Sequence, residues 1–316
     1  MTRSPGFDKP LYIISFDHRG PILSMLGPTD MLPAEQIAEI EQMKSRFVLA
    51  KHLVYDGFQC AVAAGVPKHK VGILVDEGFG ADILRHAQAN EYTTACPVEK
   101  SGQEEFDFEY GEDFAKHVED VCPTFCKAQV RYYSGVNQSS NRVQAARLKR
   151  LSDFLRGNSR SLFMLDLVVA ADKVQLARAQ GDKKVYELEI RPRLIVEAIE
   201  ELQAAQIEPD VWRIEGFDRR DDCEKVVVAA RRNGRDNVSC IIRGGAEDHN
   251  KVCEWLKTAA TVPGFIGFAV GRAIFWEPLS RWAANKTPPK TAVAEISQLY
   301  REFVNVFEKR GRKQVA

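Results

Sequence analysis

Charged and polar side chains recur at alternate positions inside otherwise apolar runs of this 316-residue chain. One parity of the run Leu11–Asp17 and the residues just after it gives Ile13, Ser15, Asp17 and Arg19. The same reading gives Lys127, Gln129 and Arg131, then Leu162, Met164 and Asp166, then Val211, Arg213 and Glu215, then Ser239, Ile241 and Arg243. The opposite parity is apolar: Ala128, Val130 and Tyr132; Phe163, Leu165 and Leu167; Trp212 and Ile214. A buried charge is costly unless paired. Internal salt bridges such as Asp17–Arg19 or Arg213–Glu215 therefore explain any one of these positions. For five runs with charge gathered towards one end, a site for an anionic ligand is the better account. Phosphate is the favoured anion. Arg243-Gly244-Gly245-Ala246 and Gly271-Arg272 offer guanidinium forks beside glycines that let backbone N–H groups approach an oxyanion. Arg19 and Arg131 extend the same cationic set.

Other chemistry-bearing residues point less sharply. Asp76 and Glu77 suit acid–base work but also suit the start of a helix. Asp17, Asp76, Glu77 and Glu99 could ligate Mg²⁺, yet no local spacing demands a metal, and no metal or cofactor is assigned. His18 follows a run whose parity points it outward.

The elements that must position these residues alternate along the whole chain. Eight β-rich runs are Leu11–Asp17, Val71–Asp76, Tyr92–Val98, Cys126–Tyr133, Ser161–Val169, Asp210–Glu215, Val238–Arg243 and Phe265–Val270. Between them, apolar residues at threes and fours predict helices over Pro33–Ala64, Gly80–Ala89, Gly111–Val121, Asn141–Leu155, Arg191–Gln206, Asp221–Asn233, Asp248–Ala260 and Ile274–Ala284. An amphipathic stretch, Thr291–Glu308, closes the chain. Eight strand–helix repeats are the pattern of a (β/α)₈ barrel. A doubly wound open sheet is the alternative, but Asp17-His18-Arg19-Gly20 is not the glycine-rich loop that such a sheet carries after its first strand. No linker divides the chain, so residues 1–316 read as one domain with loose ends at 1–10 and 309–316. The long connections after the first and fifth strands read as loops decorating the active face.

The charge balance, 44 Lys+Arg against 44 Asp+Glu, provides no footprint for nucleic acid or an anionic membrane. No apolar run approaches the roughly 20 residues of a membrane span, and the first ten residues lack the apolar core of a signal peptide. These features predict a cytosolic protein. Seven cysteines without a disulfide or zinc spacing read as buried free thiols. The expected partner is a small sugar phosphate, with a homo-oligomer possible through the last helix.

Two segments resemble a known family. Glu208 through Gly216 and Gly264 through Trp276 are similar to the aldolase-like domain of myo-inositol catabolism, often fused to 5-dehydro-2-deoxygluconokinase, and more distantly to class I tagatose 1,6-bisphosphate aldolases. Asp17-His18-Arg19-Gly20, Pro97-Val98-Glu99, Lys127 through Tyr132 and Arg191-Pro192 also match. The resemblance implies a (β/α)₈ barrel that cleaves a ketose phosphate, such as 5-dehydro-2-deoxygluconate 6-phosphate, into two three-carbon pieces. It implies that Lys127 is the strand-4 lysine of the active site. Arg213 then stands at the Schiff-base lysine and Asp166 at an acid–base glutamate. With Asp17 these form the candidate catalytic set. Arginine stays protonated and cannot attack a carbonyl as a free amine. Three readings follow: Lys127 is the amine, the enzyme acts without a Schiff base, or the barrel binds a sugar phosphate without turning it over. For the first, a guanidinium at about 5 Å would lower the lysine pKa by roughly two units.

Overall fold

A computed structural model describes residues 3–26, 37–134, 138–169, 173–245 and 248–311. Eight parallel strands close into a barrel in chain order. They are β1 (Leu11–Ser15), β2 (Val71–Leu74), β3 (Thr93–Pro97), β4 (Phe125–Tyr132), β5 (Leu162–Val169), β6 (Val211–Glu215), β7 (Ser239–Arg243) and β8 (Phe265–Val270). The helices are α1 (Gly20–Leu26), α2 (Ile37–Ala63), α3 (Glu77–Ala89), α4 (Phe114–Val121), α5 (Gln138–Gly157), α6 (Lys173–Arg178), α7 (Lys183–Val185), α8 (Arg191–Ala204), α9 (Arg220–Arg231), α10 (His249–Ala259), α11 (Arg272–Ala283) and α12 (Pro289–Gly311). A single π-helical turn, Tyr186–Ile190, joins α7 to α8.

The alternation along the strands creates two separate apolar layers. Leu11, Ile13, Leu74, Ala95, Phe125, Met164, Val211, Ile241 and Ala269 fill the barrel interior. Their neighbours of opposite parity, such as Ile14, Ala128, Leu165, Trp212 and Ile242, pack outward against the helices. Successive strand residues point to opposite faces, so each core needs its own parity. The floor of the barrel is sealed by residues before β1. Phe7 sets its ring edge-on to Phe125, with centroids 5.1 Å apart. Buried Asp210 accepts hydrogen bonds from Gly6 N at 2.8 Å, Phe163 N at 2.7 Å and the Arg3 guanidinium at 2.9 Å. The first segment, expected as a loose end, is thus pinned from Arg3 onward. At the other end, α12 runs to Gly311 against α2, α10 and α11; residues 312–316 lie outside the described ones.

Three local readings differ from the sequence expectations. β1 stops at Ser15, because the Phe16 carbonyl accepts from Lys51 Nζ at 2.9 Å and the chain then turns away. The long connections after β1 and β5 contain short helices, α1 and then α6 and α7, rather than loop alone. Cys60 and Cys122 are exposed and the other five thiols are buried; all seven are free. Cys122 takes a left-handed conformation that ends α4, at a position turned out of the core. Among the described residues, no helix is long and apolar enough to cross a membrane.

Candidate active site

The inward parity delivers its charges to the C-terminal mouth of the barrel. Lys127 on β4 is almost fully buried, and its Nζ lies 3.0 Å from Asp17 Oδ2, in contact with Glu99 Oε1 and 4.0 Å from Asp166 Oδ2. Asp17 sits just past β1, where Ser15 Oγ donates to its Oδ1 at 2.9 Å. Glu99 sits just past β3, on a turn closed by an antiparallel bridge to Phe108. Arg213 on β6 reaches across the barrel. It donates to Asp166 Oδ2 at 2.6 Å, to the Ala269 carbonyl at 2.9 and 3.1 Å, and to Ser15 Oγ at 3.2 Å. A cavity of about 270 Å³ opens above this network. Asp17, His18, Glu99, Lys127, Gln129, Arg131, Arg213 and Arg243 line it, and the loop from Lys100 to Phe106 forms its outer wall.

The electrostatics overturn one expectation. The Arg213 charge does not bring the Lys127 pKa down. Burial works to lower the Lys127 pKa, but Asp17, Glu99 and Asp166 outweigh both burial and Arg213 and hold it above the ordinary lysine value. The guanidinium meanwhile is neutralised by Asp166. Asp17 shows the reciprocal effect: burial would raise it, but Lys127, His18 and Arg213 keep it well below the usual carboxylate range. Glu99 is pushed up by burial, with the Lys127 charge only partly offsetting. The site therefore holds a fixed cation, a fixed carboxylate and one carboxyl displaced towards neutral pH.

A second cluster lies beside it. Arg243 ends β7, 3.5 Å from Asp166 Oδ1 but without hydrogen-bond geometry, and its Nε and one terminal nitrogen are buried without a partner. Arg272 opens α11. It donates to the Gly245 carbonyl at 2.7 Å, and its buried Nε has no partner. Burial and the neighbouring Arg243 both depress the Arg272 pKa. Arg243 and Arg272 thus place two mutually repelling cations with unspent donors at a helix N-terminus. Gly245 adopts φ +56°, which lets the β7 loop turn beside them. Gly244 packs under Val270. Ala246 lies outside the described residues.

Other predicted residues are placed differently. Arg19 lines the cavity, but its guanidinium faces Asp76 Oδ2 at 3.7 Å and Glu109 Oε2 at 3.1 Å. Arg131 is exposed at the rim. Asp166 is fully buried below the cavity floor, held between Arg213 and Arg243. Asp76 pairs with buried Lys51 and caps α3 by accepting from Phe79 N at 3.1 Å. Glu77 is engaged by Tyr110 and by His117 at 3.2 Å, so neither acid joins Asp17 and Glu99. His18 does not point away: with β1 ended, its ring lies edge-on to Phe275 and lines the cavity. The prominence of Glu99 was legible in the alternation Ala95, Pro97, Glu99, which puts it on the inner face. Lys51 carried no such signal, because it reaches the β1–β2 rim from α2.

Sequence and structure comparisons bear on this site. A family model described as an uncharacterized protein conserved in bacteria (DUF2090) matches residues 2–311. The chain belongs to that family. Among curated proteins, none matches it. Solved structures similar to this DUF2090 member include fructose-bisphosphate aldolase from Plasmodium falciparum in complex with TRAP and a small-molecule inhibitor. It is 11% identical over 94% of this chain and 90% of that one, with TM-score 0.60. An archaeal fructose 1,6-bisphosphate aldolase is 12% identical over 96% and 95%, with TM-score 0.54. A Schiff-base-forming fructose-1,6-bisphosphate aldolase is 12% identical over 94% of each chain, with TM-score 0.52. At such identities the likeness establishes the barrel and leaves the chemistry to the residues. None of these matches carries a link to inositol catabolism or to the tagatose 1,6-bisphosphate group.

Proposed function

We propose that the protein is an aldolase-type carbon–carbon lyase acting on a ketose phosphate. The observation that carries this reading is the pair of partly unpaired guanidiniums of Arg243 and Arg272 beside a buried lysine–carboxylate network at the mouth of an aldolase-like barrel. The phosphate would lie on Arg243, Arg272 and the start of α11, and the carbonyl would lie on Lys127. Retro-aldol cleavage takes a proton from the hydroxyl of the departing carbon and moves the bond electrons onto the carbonyl oxygen. The enolate carbon is then protonated. Glu99, with its raised pKa, suits the proton transfers. Lys127, an ammonium at rest, suits stabilisation of the developing oxyanion. To attack as an amine it would first have to give its proton to Glu99 or Asp17. Arg213 and Asp166 act beneath, fixing the floor on which Lys127 stands.

The test is cleavage of fructose 1,6-bisphosphate, tagatose 1,6-bisphosphate and 5-dehydro-2-deoxygluconate 6-phosphate, followed by coupled detection of the released aldehyde or triose phosphate. Lys127→Met should lower the rate by about 10²- to 10³-fold, the cost of losing an oxyanion donor. Borohydride should trap no adduct; one mapped to Lys127 would assign it the amine role instead. Arg272→Gln should weaken phosphate-ester binding about 10- to 100-fold, and unchanged binding would place the anion elsewhere.

The Arg213–Asp166 ion pair, which leaves a guanidinium tied up where the resemblance expects a free amine, favours a second reading, a sugar-phosphate-binding barrel without turnover. Tight binding of phosphate esters with no cleavage of any of them would select it.

A further inference from the structure

Away from the barrel mouth, three metal-ligating side chains meet between α10 and α12. His249 opens α10, and Cys253 follows one turn later on the same face. Glu302 comes from α12. His249 Nε2 lies 3.5 Å from Cys253 Sγ and 3.3 Å from Glu302 Oε1, and one ligand atom from each residue lies within 4.8 Å of the others. Cys253 is buried, Glu302 half-exposed, and the imidazole stacks flat on Phe303 with centroids 4.7 Å apart.

We infer that His249, Cys253 and Glu302 form a binding site for a borderline-soft divalent cation, zinc in the first instance, which ties α12 to α10. The spacing supports this. Tetrahedral zinc with its usual bond lengths separates a sulfur from a nitrogen by about 3.6 Å and a nitrogen from an oxygen by about 3.3 Å. The donor set selects the metal class. Imidazole and thiolate disfavour Mg²⁺ and Ca²⁺, which take oxygen ligands, and suit Zn²⁺ or Co²⁺. Three protein ligands leave a fourth position, on the solvent side near Glu302, for water. Glu254 adds negative charge near the thiol and Lys257 opposes it. The metal–sulfur bond forms as the thiol proton leaves to solvent. His249 Nδ1 has no hydrogen-bond partner among the described residues to brace the ring from behind, which weakens binding by about 10- to 100-fold relative to a braced site.

The experiment uses the full chain, stripped with chelator, in a Cys60→Ser, Cys122→Ser background so that the two exposed thiols cannot contribute. Titration with Co²⁺ should saturate at one equivalent, with thiolate-to-cobalt charge transfer in the near ultraviolet and the intense visible bands of four-coordination. Zn²⁺ should bleach both and raise the melting temperature. Cys253→Ser should remove the charge-transfer band, and Glu302→Gln, at an exposed position that does not threaten folding, should weaken binding at least about tenfold. Absence of saturable binding, binding without the thiolate band, or affinity unchanged from the parent protein in the Cys253→Ser and Glu302→Gln variants would overturn the site. These readouts do not depend on lyase activity.

Discussion

Lys127 is held as a cation by the groups that surround it, and that dependence can be measured. Lys127→Met leaves Asp17 and Glu99 facing each other without their counter-charge. At neutral pH this should cost about 3–5 kcal/mol, the usual penalty for breaking a buried pair. The loss should shrink in acid, because without the ammonium both carboxyls take up protons more readily, and denaturant titration at pH 7 and pH 4.5 would show the difference. His18 gives a pH dependence of its own. Burial lowers its pKa from 6.5 to about 4, with Arg213, Arg272 and Lys127 adding to the effect and Asp17 opposing it. The native ring stays neutral while the unfolded chain binds a proton, so its contribution to stability is lost as pH falls from 6.5 towards 4. His18→Gln should remove that loss, roughly 1–3 kcal/mol at the acid end. Glu99, shifted the other way, slopes in the opposite sense over part of this range. The difference between wild-type and variant profiles is therefore the quantity to compare, and parallel profiles would refute the assignment.

At the scale of elements, Gly271 decides how β8 lies against β1. A Cβ there would sit 2.0 Å from the Ser15 carbonyl oxygen and 3.0 Å from His18 Cε1. The glycine is thus required by packing of backbone on backbone, whatever it also does for an anion. Gly271→Ala should destabilise the fold by roughly 1–3 kcal/mol or more, seen as a lower melting temperature with or without phosphate. A variant at this position cannot report on ligand approach alone, which is why Arg272→Gln is the cleaner probe. The strands were legible as short β-rich runs bounded by turn residues, five of them with a period of two; β8, a continuous apolar run, was found with both ends right. Ends were misread where a distant group intervenes. Lys51 from α2 takes the Phe16 carbonyl and so ends β1 early, and no spacing within the first strand announces it. The same remoteness hid the neutralisation of Arg19 by Asp76 and Glu109.

The whole molecule carries no formal net charge, so attraction of an anionic substrate rests on the local field of the mouth. Arg243 and Arg272 are partly buried and little screened, whereas Arg131 lies at the rim in solvent. Raising ionic strength from about 0.01 to 0.15 M shortens the Debye length from about 30 to 8 Å. Phosphate-ester association should then slow several-fold while dissociation changes little, as stopped-flow measurements in both salts would show. The architecture was legible as a repeat count, eight strand–helix units. The Lys127 charge state was not, because it depends on three carboxylates brought together from just past β1, just past β3 and on β5. Sequence proximity says nothing about that sum.

Arg213 joins β6 to Ser15 on β1 and to Ala269 on β8, spanning 198 and 56 residues of chain. This strap exists only once the last strand has docked beside the first. A nascent chain still lacking β8 can hold Lys127 and Asp166 yet cannot complete the floor beneath the ligand. Such late, non-local closure is expected to be slow. Ligand binding would then belong to the finished barrel alone and act on its lifetime more than on its assembly. Saturating phosphate ester should slow unfolding in a chevron experiment and leave the refolding limb nearly unmoved, so occupancy of the mouth would serve as a timer for the final step of maturation.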